Sequence, residues 1–71
     1  MTKQNNYQDK YLKTLKKEEL EVVIYLVNGV RLTGTIAGFD NFVIIADTDK
    51  GQQMVYKHAV STLVPEEDIE L

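Results

Sequence analysis

Residues 22–42, VVIYLVNGVRLTGTIAGFDNF, constrain the fold of this chain more than any other stretch. An apolar run over 22–27 meets Asn28-Gly29. That dipeptide predicts a two-residue hairpin with a type I′ turn, which needs positive φ at both central positions. The chain leaves the turn with period two. Val30, Leu32, Gly34, Ile36 and Gly38 share one parity; Arg31, Thr33, Thr35 and Ala37 share the other. Side chains alternate faces along a strand, so the first set is expected on a core and the second outside. Two of the inward positions are glycine, which inside a strand marks a bend, a bulge or a close backbone approach. A short sheet bent this hard tends to close into a small barrel; a plain meander with two weak points is the alternative.

Seventy-one residues make one domain with a modest core. There is no cysteine, so neither a disulfide nor a Cys-ligated metal can staple it. Burial against copies of itself is the route left open. The polar start, MTKQNNYQDK, lacks the apolar core of a signal peptide, and no run is long enough to span a bilayer. A cytoplasmic address is expected. The net charge of −3 argues weakly against a nucleic-acid partner, but its distribution matters more. Lys3, Lys10, Lys13, Lys16 and Lys17 crowd the first 17 residues, and Glu66, Glu67, Asp68 and Glu70 the last six.

Residues 1–6 are expected to be flexible. A helix begins near Asp9, which is assigned as its N-cap. Tyr11, Leu12 and Leu15 share one face. At about 100° per residue, Lys10, Lys13, Lys16 and Lys17 fall within roughly a 120° arc on the other. That arc is either a solvated face or a phosphate-contacting patch. Glu18, Glu19 and Glu21 oppose the helix dipole, so the helix should stop there. Three further strands follow at 42–46, 52–56 and 59–64, with a loop at 47–51 and a tight break at Lys57-His58. Pro65 ends the last strand, and the acidic tail 66–71 is expected to be loose. The break at 57–58 is too short for the fourth and fifth strands to pair as a hairpin. They are expected on separate edges, where an edge that pairs with the next copy gives a head-to-tail contact able to close as a ring.

The residues do not suit an enzyme. There is one histidine, Ser61 has no glycine-flanked elbow, and no phosphate-cradling loop or metal-binding histidine pair occurs. No cofactor, metal or small-molecule substrate is expected. The chemistry present suits single-stranded nucleic acid, which needs aromatic faces, base-edge donors and positive charge. Phe42 follows a turn, Lys57 stands beside His58, and Tyr25 and Arg31 flank the Asn28-Gly29 turn. Each has a bland alternative: Phe42 as core, His58 as a hydrogen-bonded structural residue, Tyr25 as a packed strand tyrosine. At this level RNA and a protein partner both stay open.

Three segments carry a resemblance: YLVNG at 25–29, FDNF at 39–42 and, above all, VYKHAVST at 55–62. They are similar to the bacterial Hfq family, the RNA-chaperone branch of the Sm-like proteins, and the likeness covers about residues 7–65. Tyr7-Gln8-Asp9 also resembles the family's helix start. In Sm proteins proper an Asn would stand at Val43, and Arg-Gly at Lys57-His58; both departures point to the bacterial branch. The resemblance implies a mainly β fold, an N-terminal helix followed by a strongly bent five-stranded antiparallel Sm-like barrel over 7–65. It implies a homohexameric ring in which the fourth strand of one subunit pairs with the fifth of the next. It further implies a chaperone of small regulatory RNAs and mRNAs. On the proximal face, Gln8, Asn41, Phe42, Lys57 and His58 match the uridine-binding positions. On the distal face, Tyr25, Gly29, Val30, Arg31, Thr33 and Gln53 match the adenine-binding ones. Lys13, Lys16 and Lys17 match the rim. Thr33 stands where well-known members carry Gln, and the rim holds lysines and Glu19 where many carry arginines. The acidic tail is expected to compete with RNA for the lysine rim. A protein-binding barrel that assembles without RNA preference is the rival.

Overall fold

A computed structural model describes residues 7–70; the flexible start expected at 1–6 lies outside them. The element order is α1 (Tyr7–Lys17), β1 (Val22–Leu26), β2 (Arg31–Phe39), β3 (Val43–Thr48), β4 (Gly51–Tyr56), a 3₁₀ turn (Lys57–Ala59) and β5 (Val60–Pro65). The helix starts two residues before Asp9, which lies in its first turn and is not the N-cap. A carboxylate there still meets the positive end of the helix. Leu12 and Leu15 are buried and pack with Val22, Ile24, Ile36, Ile44 and Ala46 on one face of the sheet. Each such leucine contributes about 1.5–3 kcal/mol by leaving water. Lys10, Lys13, Lys16 and Lys17 are all exposed.

The helix ends in a Schellman motif. The Leu20 N–H donates to the Leu15 carbonyl at 3.2 Å, and the Glu19 N–H to the Lys16 carbonyl at 3.2 Å. Glu19 sits at the left-handed position with φ 51°, where glycine is usual. Leu20 packs back onto the core, as this motif requires of the residue after the cap. Glu19→Gly is therefore expected to stabilise the chain by ~0.5–1 kcal/mol, read as a raised thermal midpoint.

The hairpin differs from the expected type I′ turn. The Gly29 N–H donates to the Leu26 carbonyl at 2.9 Å and the Leu26 N–H to the Val30 carbonyl at 2.8 Å, closing a three-residue loop. Gly29 takes φ 93°, and Asn28 is not at positive φ. The Asn28 side chain is instead used locally, its Oδ1 accepting the Val30 N–H at 3.0 Å. The longer loop starts β2 at Arg31 and leaves Val30 exposed, not on the core.

All five strands form one antiparallel sheet in the order β4-β3-β2-β1-β5. The two glycines of β2 act differently. Gly34 lies where β3 passes so close that a Cβ would fall on the Asp47 carbonyl. Gly38 flanks a register shift after Ile36, a bulge that bends the strand. As expected, β4 and β5 occupy opposite edges, because the 3₁₀ turn is too short to reverse one onto the other. The expected closure into a barrel differs from what is seen: among the described residues no ladder joins β4 to β5. The tail is not loose where it leaves β5. The Glu66 N–H donates to the Glu21 carbonyl at 2.9 Å, Glu66 Oε2 accepts the Glu21 N–H at 3.0 Å, and Ile69 packs against the core. Among the described residues no helix is long and apolar enough to cross a membrane.

Candidate nucleic-acid interface

Between β2 and β3 the chain turns at Asp40-Asn41-Phe42. Asp40 Oδ1 accepts the N–H groups of Phe42 at 2.8 Å and of Val43 at 2.9 Å, and the Asp40 N–H donates to the Val43 carbonyl at 3.0 Å. This clasp fixes the backbone before Phe42 and turns its ring outward, with 74% of the residue exposed. Phe42 is therefore not core. Asn41 is exposed at the tip of the same turn. The bonds from Phe42 and Val43 hold the Asp40 carboxyl below its ordinary pKa; desolvation opposes them, and the nearby Lys57 charge adds a lesser lowering. A carboxyl whose pKa is lowered by folding stabilises the fold above its unfolded value and loses that contribution as pH falls through its folded value. The amide resonances of Phe42 and Val43 are thus expected to titrate together, with a midpoint below that of an unperturbed aspartate.

The 3₁₀ turn joins this loop. The Lys57 N–H donates to the Phe42 carbonyl at 2.8 Å. The Lys57 side chain is only 13% exposed, and its Nζ lies 3.8 Å from Asp9 Oδ1 and 5.5 Å from the centroid of the Phe39 ring. His58 is exposed, and its ring stacks on Tyr56 at 5.6 Å and 15°. Gln8 and Lys57 line one cleft of about 360 Å³ between α1 and β5, with Tyr7, Tyr11 and Ser61 among its walls. Gln8, Lys57 and Phe42 are thereby linked through one cleft and one backbone bond, and Asn41 and His58 adjoin them only as chain neighbours of Phe42 and Lys57. Asp9, Phe39, Asp40 and Tyr56 hold this group in place and were not assigned to it from sequence. Only the aspartate-containing turn at 40–42 carried a local signal.

The outer face of the sheet holds the second set. Tyr25 is 38% exposed and pairs across the ladder with Arg31 on β2 and with Thr62 on β5. Thr33 follows on β2, opposite Val23. Gly29 and Val30 are exposed at the hairpin end. Gln53 is set apart from them. It pairs with buried Ala46, shares the parity of buried Val55, and donates its side-chain amide to Thr48 Oγ1 at 3.2 Å. Thr62, beside Tyr25, is a neighbour that sequence reasoning missed, because only the β1–β5 register brings it there.

On the outer side of α1, Lys10, Lys13, Lys16 and Lys17 line a groove of about 490 Å³ whose remaining walls are Thr14 and Glu70. An acidic tail residue thus shares a groove with four ammonium groups. Among the described residues, no three His, Asp or Glu side chains are placed to hold a metal ion.

A family model described as Hfq protein matches residues 7–70. The chain belongs to the Hfq family. It is 48% identical over 66 residues to the RNA-binding protein Hfq of Clostridium beijerinckii, covering 93% of this chain and 82% of the relative. Over 71 residues it is 48% identical to the RNA-binding protein Hfq of Leptospira biflexa, covering all of this chain and 86% of that one. A crystal structure of the pleiotropic translational regulator Hfq superposes with a TM-score of 0.81 at 36% identity, covering 83% of this chain and 98% of the other. The open edges, the bent β2 and the clasped Phe42 loop are therefore seen here in a chain of the Hfq family.

Proposed function

We propose that this chain is an RNA chaperone that binds uridine-rich and adenine-rich single strands and promotes the pairing of small regulatory RNAs with mRNAs in the cytoplasm. The observation that carries this reading is Phe42, an aromatic ring held in solvent by the Asp40 clasp and tied through its carbonyl to the Lys57 N–H. A ring fixed outward in this way offers a stacking face, and a base has the complementary one. Gln8 and Lys57 would meet base edges and His58 the sugar or phosphate, on the proximal face. Tyr25, with Gly29, Val30, Arg31 and Thr33, would take adenine-rich RNA on the distal face. The working form is a homohexameric ring in which β4 of one subunit pairs with β5 of the next. Its support is the pair of open edges, which expose Met54 and Tyr56 on β4 and Val64 on β5. The protein acts without covalent chemistry, by concentrating RNA, neutralising charge and unstacking bases. Family membership favours this reading over a protein-binding barrel.

The lysine groove is the rim. Lysine lacks the bidentate fork that arginine offers to phosphate, and Glu19 repels it, so annealing through the rim is weak. Glu70 competes with RNA there, and removing residues 66–71 is expected to raise rim binding of RNA at low salt several-fold, with the gain vanishing at high salt. Equal binding by the full and shortened chains would remove the tail from this role.

The test of the main reading is native mass spectrometry of the protein alone and with a six-residue oligouridine. A hexamer carrying one oligonucleotide supports assembly and pocket together. A hexamer without uptake moves the weight to a protein partner, and a monomer overturns the edge-pairing proposal.

A further inference from the structure

A lysine that contacts a base must be placed before the base arrives. Otherwise the entropy of fixing four rotatable bonds is charged to binding. Lys57 is unusual in this respect. Its side chain is 87% buried, being 13% exposed, yet its ammonium makes no hydrogen bond among the described residues. The nearest carboxylate oxygen, on Asp9, is 3.8 Å away, beyond the hydrogen-bond range of about 2.7–3.2 Å. The Phe39 ring lies beneath the ammonium at 5.5 Å, within the ~6 Å over which a ring face attracts a cation. Two attractions therefore fix the ammonium without using its three N–H donors.

We propose that Phe39 is a positioning residue for the proximal pocket, holding the Lys57 ammonium over its ring so that all three donors remain free for a base edge. The inference rests on the proximal-face reading above. Phe39 closes β2 immediately before Asp40, so the ring under Lys57 and the clasp behind Phe42 are set by consecutive residues. A base stacked on Phe42 is then presented to a donor held by the same corner of the chain. Asp9 brings the helix to that corner, which ties α1 to the base-stacking loop through one ammonium. Because Asp9 and Asp40 already offset its charge, Lys57 contributes base contact more than counterion release. The salt dependence of proximal binding would then come from other cations.

The test uses Phe39→Leu, which keeps an apolar side chain against the core, and Phe39→Tyr, which keeps the ring face. Oligouridine and oligoadenine affinities are measured with each at several salt concentrations. In parallel the Lys57 Cε resonance is followed on lysine-labelled protein and assigned by its absence in Lys57→Gln. Phe39→Leu is expected to lose about fivefold in oligouridine affinity, with oligoadenine affinity and salt slope unchanged. The Lys57 methylene protons, shifted upfield by the ring in the parent, should return to the position of the other lysines. Phe39→Tyr should restore both. Unchanged oligouridine binding in Phe39→Leu, equal loss on both oligonucleotides, or failure of Phe39→Tyr to restore affinity overturns the inference while the proximal pocket stands. A parent protein that does not bind oligouridine overturns the functional reading and this inference with it.

Discussion

Phe42→Ala is expected to weaken oligouridine binding by two orders of magnitude or more and to leave oligoadenine binding within about twofold. The reasoning starts from one ring. A base stacked on an aromatic side chain contributes ~1–3 kcal/mol, and in the proposed ring an oligouridine that visits several subunits would lose that contribution at each. The substitution should not disturb the fold, because Phe42 is 74% exposed and its loop is held by Asp40 through main-chain N–H groups that alanine keeps. Lys57→Ala should act in the same direction with a cost to stability as well, since its side chain is largely buried against Asp9 and Phe39. Tyr25→Asp should show the opposite selectivity, weakening oligoadenine and sparing oligouridine. Tyr25 lies on the outer sheet face beside Arg31 and Thr62, away from the Asp40 loop in the strand order. Fluorescence-anisotropy titrations of both oligonucleotides against the three variants decide the matter. Equal weakening of both ligands in every variant would mean either that there are not two separate faces or that the assembly has come apart, and the mass of each variant under native conditions tells these two apart.

The second large effect is on folding. Gly34→Ala is expected to destabilise the chain by at least ~3 kcal/mol, enough to unfold much of a small domain. The added Cβ would fall on the Asp47 carbonyl oxygen, with the Asp47 carbonyl carbon at 2.8 Å and Thr48 Cα at 2.9 Å. All three are backbone atoms of β3, so no rotamer change relieves the clash. The strands must separate, and the pairs Gly34↔Thr48 and Thr35↔Asp47 would be lost first. Gly38→Ala is the control. Its Cβ meets nothing within 4 Å, so its cost should stay below about 1 kcal/mol. Urea unfolding of both variants measures the difference. A Gly34→Ala midpoint close to that of Gly38→Ala would show that β2 and β3 do not need their close approach.

Both predictions rest on contacts that only the folded chain supplies, although much of the fold is legible in the sequence. Period-two alternation after Arg31 placed Leu32, Gly34 and Ile36 on the core side, and the structure agrees. The lysine arc of α1 was readable because helical geometry sorts side chains by angle alone. The split of β4 and β5 onto opposite edges followed from the shortness of 57–59. Other features escaped local reasoning. Asn28-Gly29 suggested a two-residue turn, but the Asn28 side chain bonded to Val30 and the loop took a third residue. Asp9 was given a capping role, whereas its carboxylate faces a lysine 48 positions further along the chain. The acidic tail is expected to be loose, yet Ile69 reaches the core and Glu66 is bonded to Glu21.

By itself the sequence determined the element order, the buried faces, the cationic stripe of the helix and, through YLVNG, FDNF and VYKHAVST, the family. These follow from periodicity and from contiguous residues, which act over a few positions. Only the tertiary structure decided whether Phe42 faced solvent or core. It also decided which groups surround the Lys57 ammonium, and why Gly34 rather than Gly38 is the residue that cannot change. Each of those depends on segments far apart in sequence meeting at ångström distances, and a period read along one strand carries no information about what the next strand brings alongside.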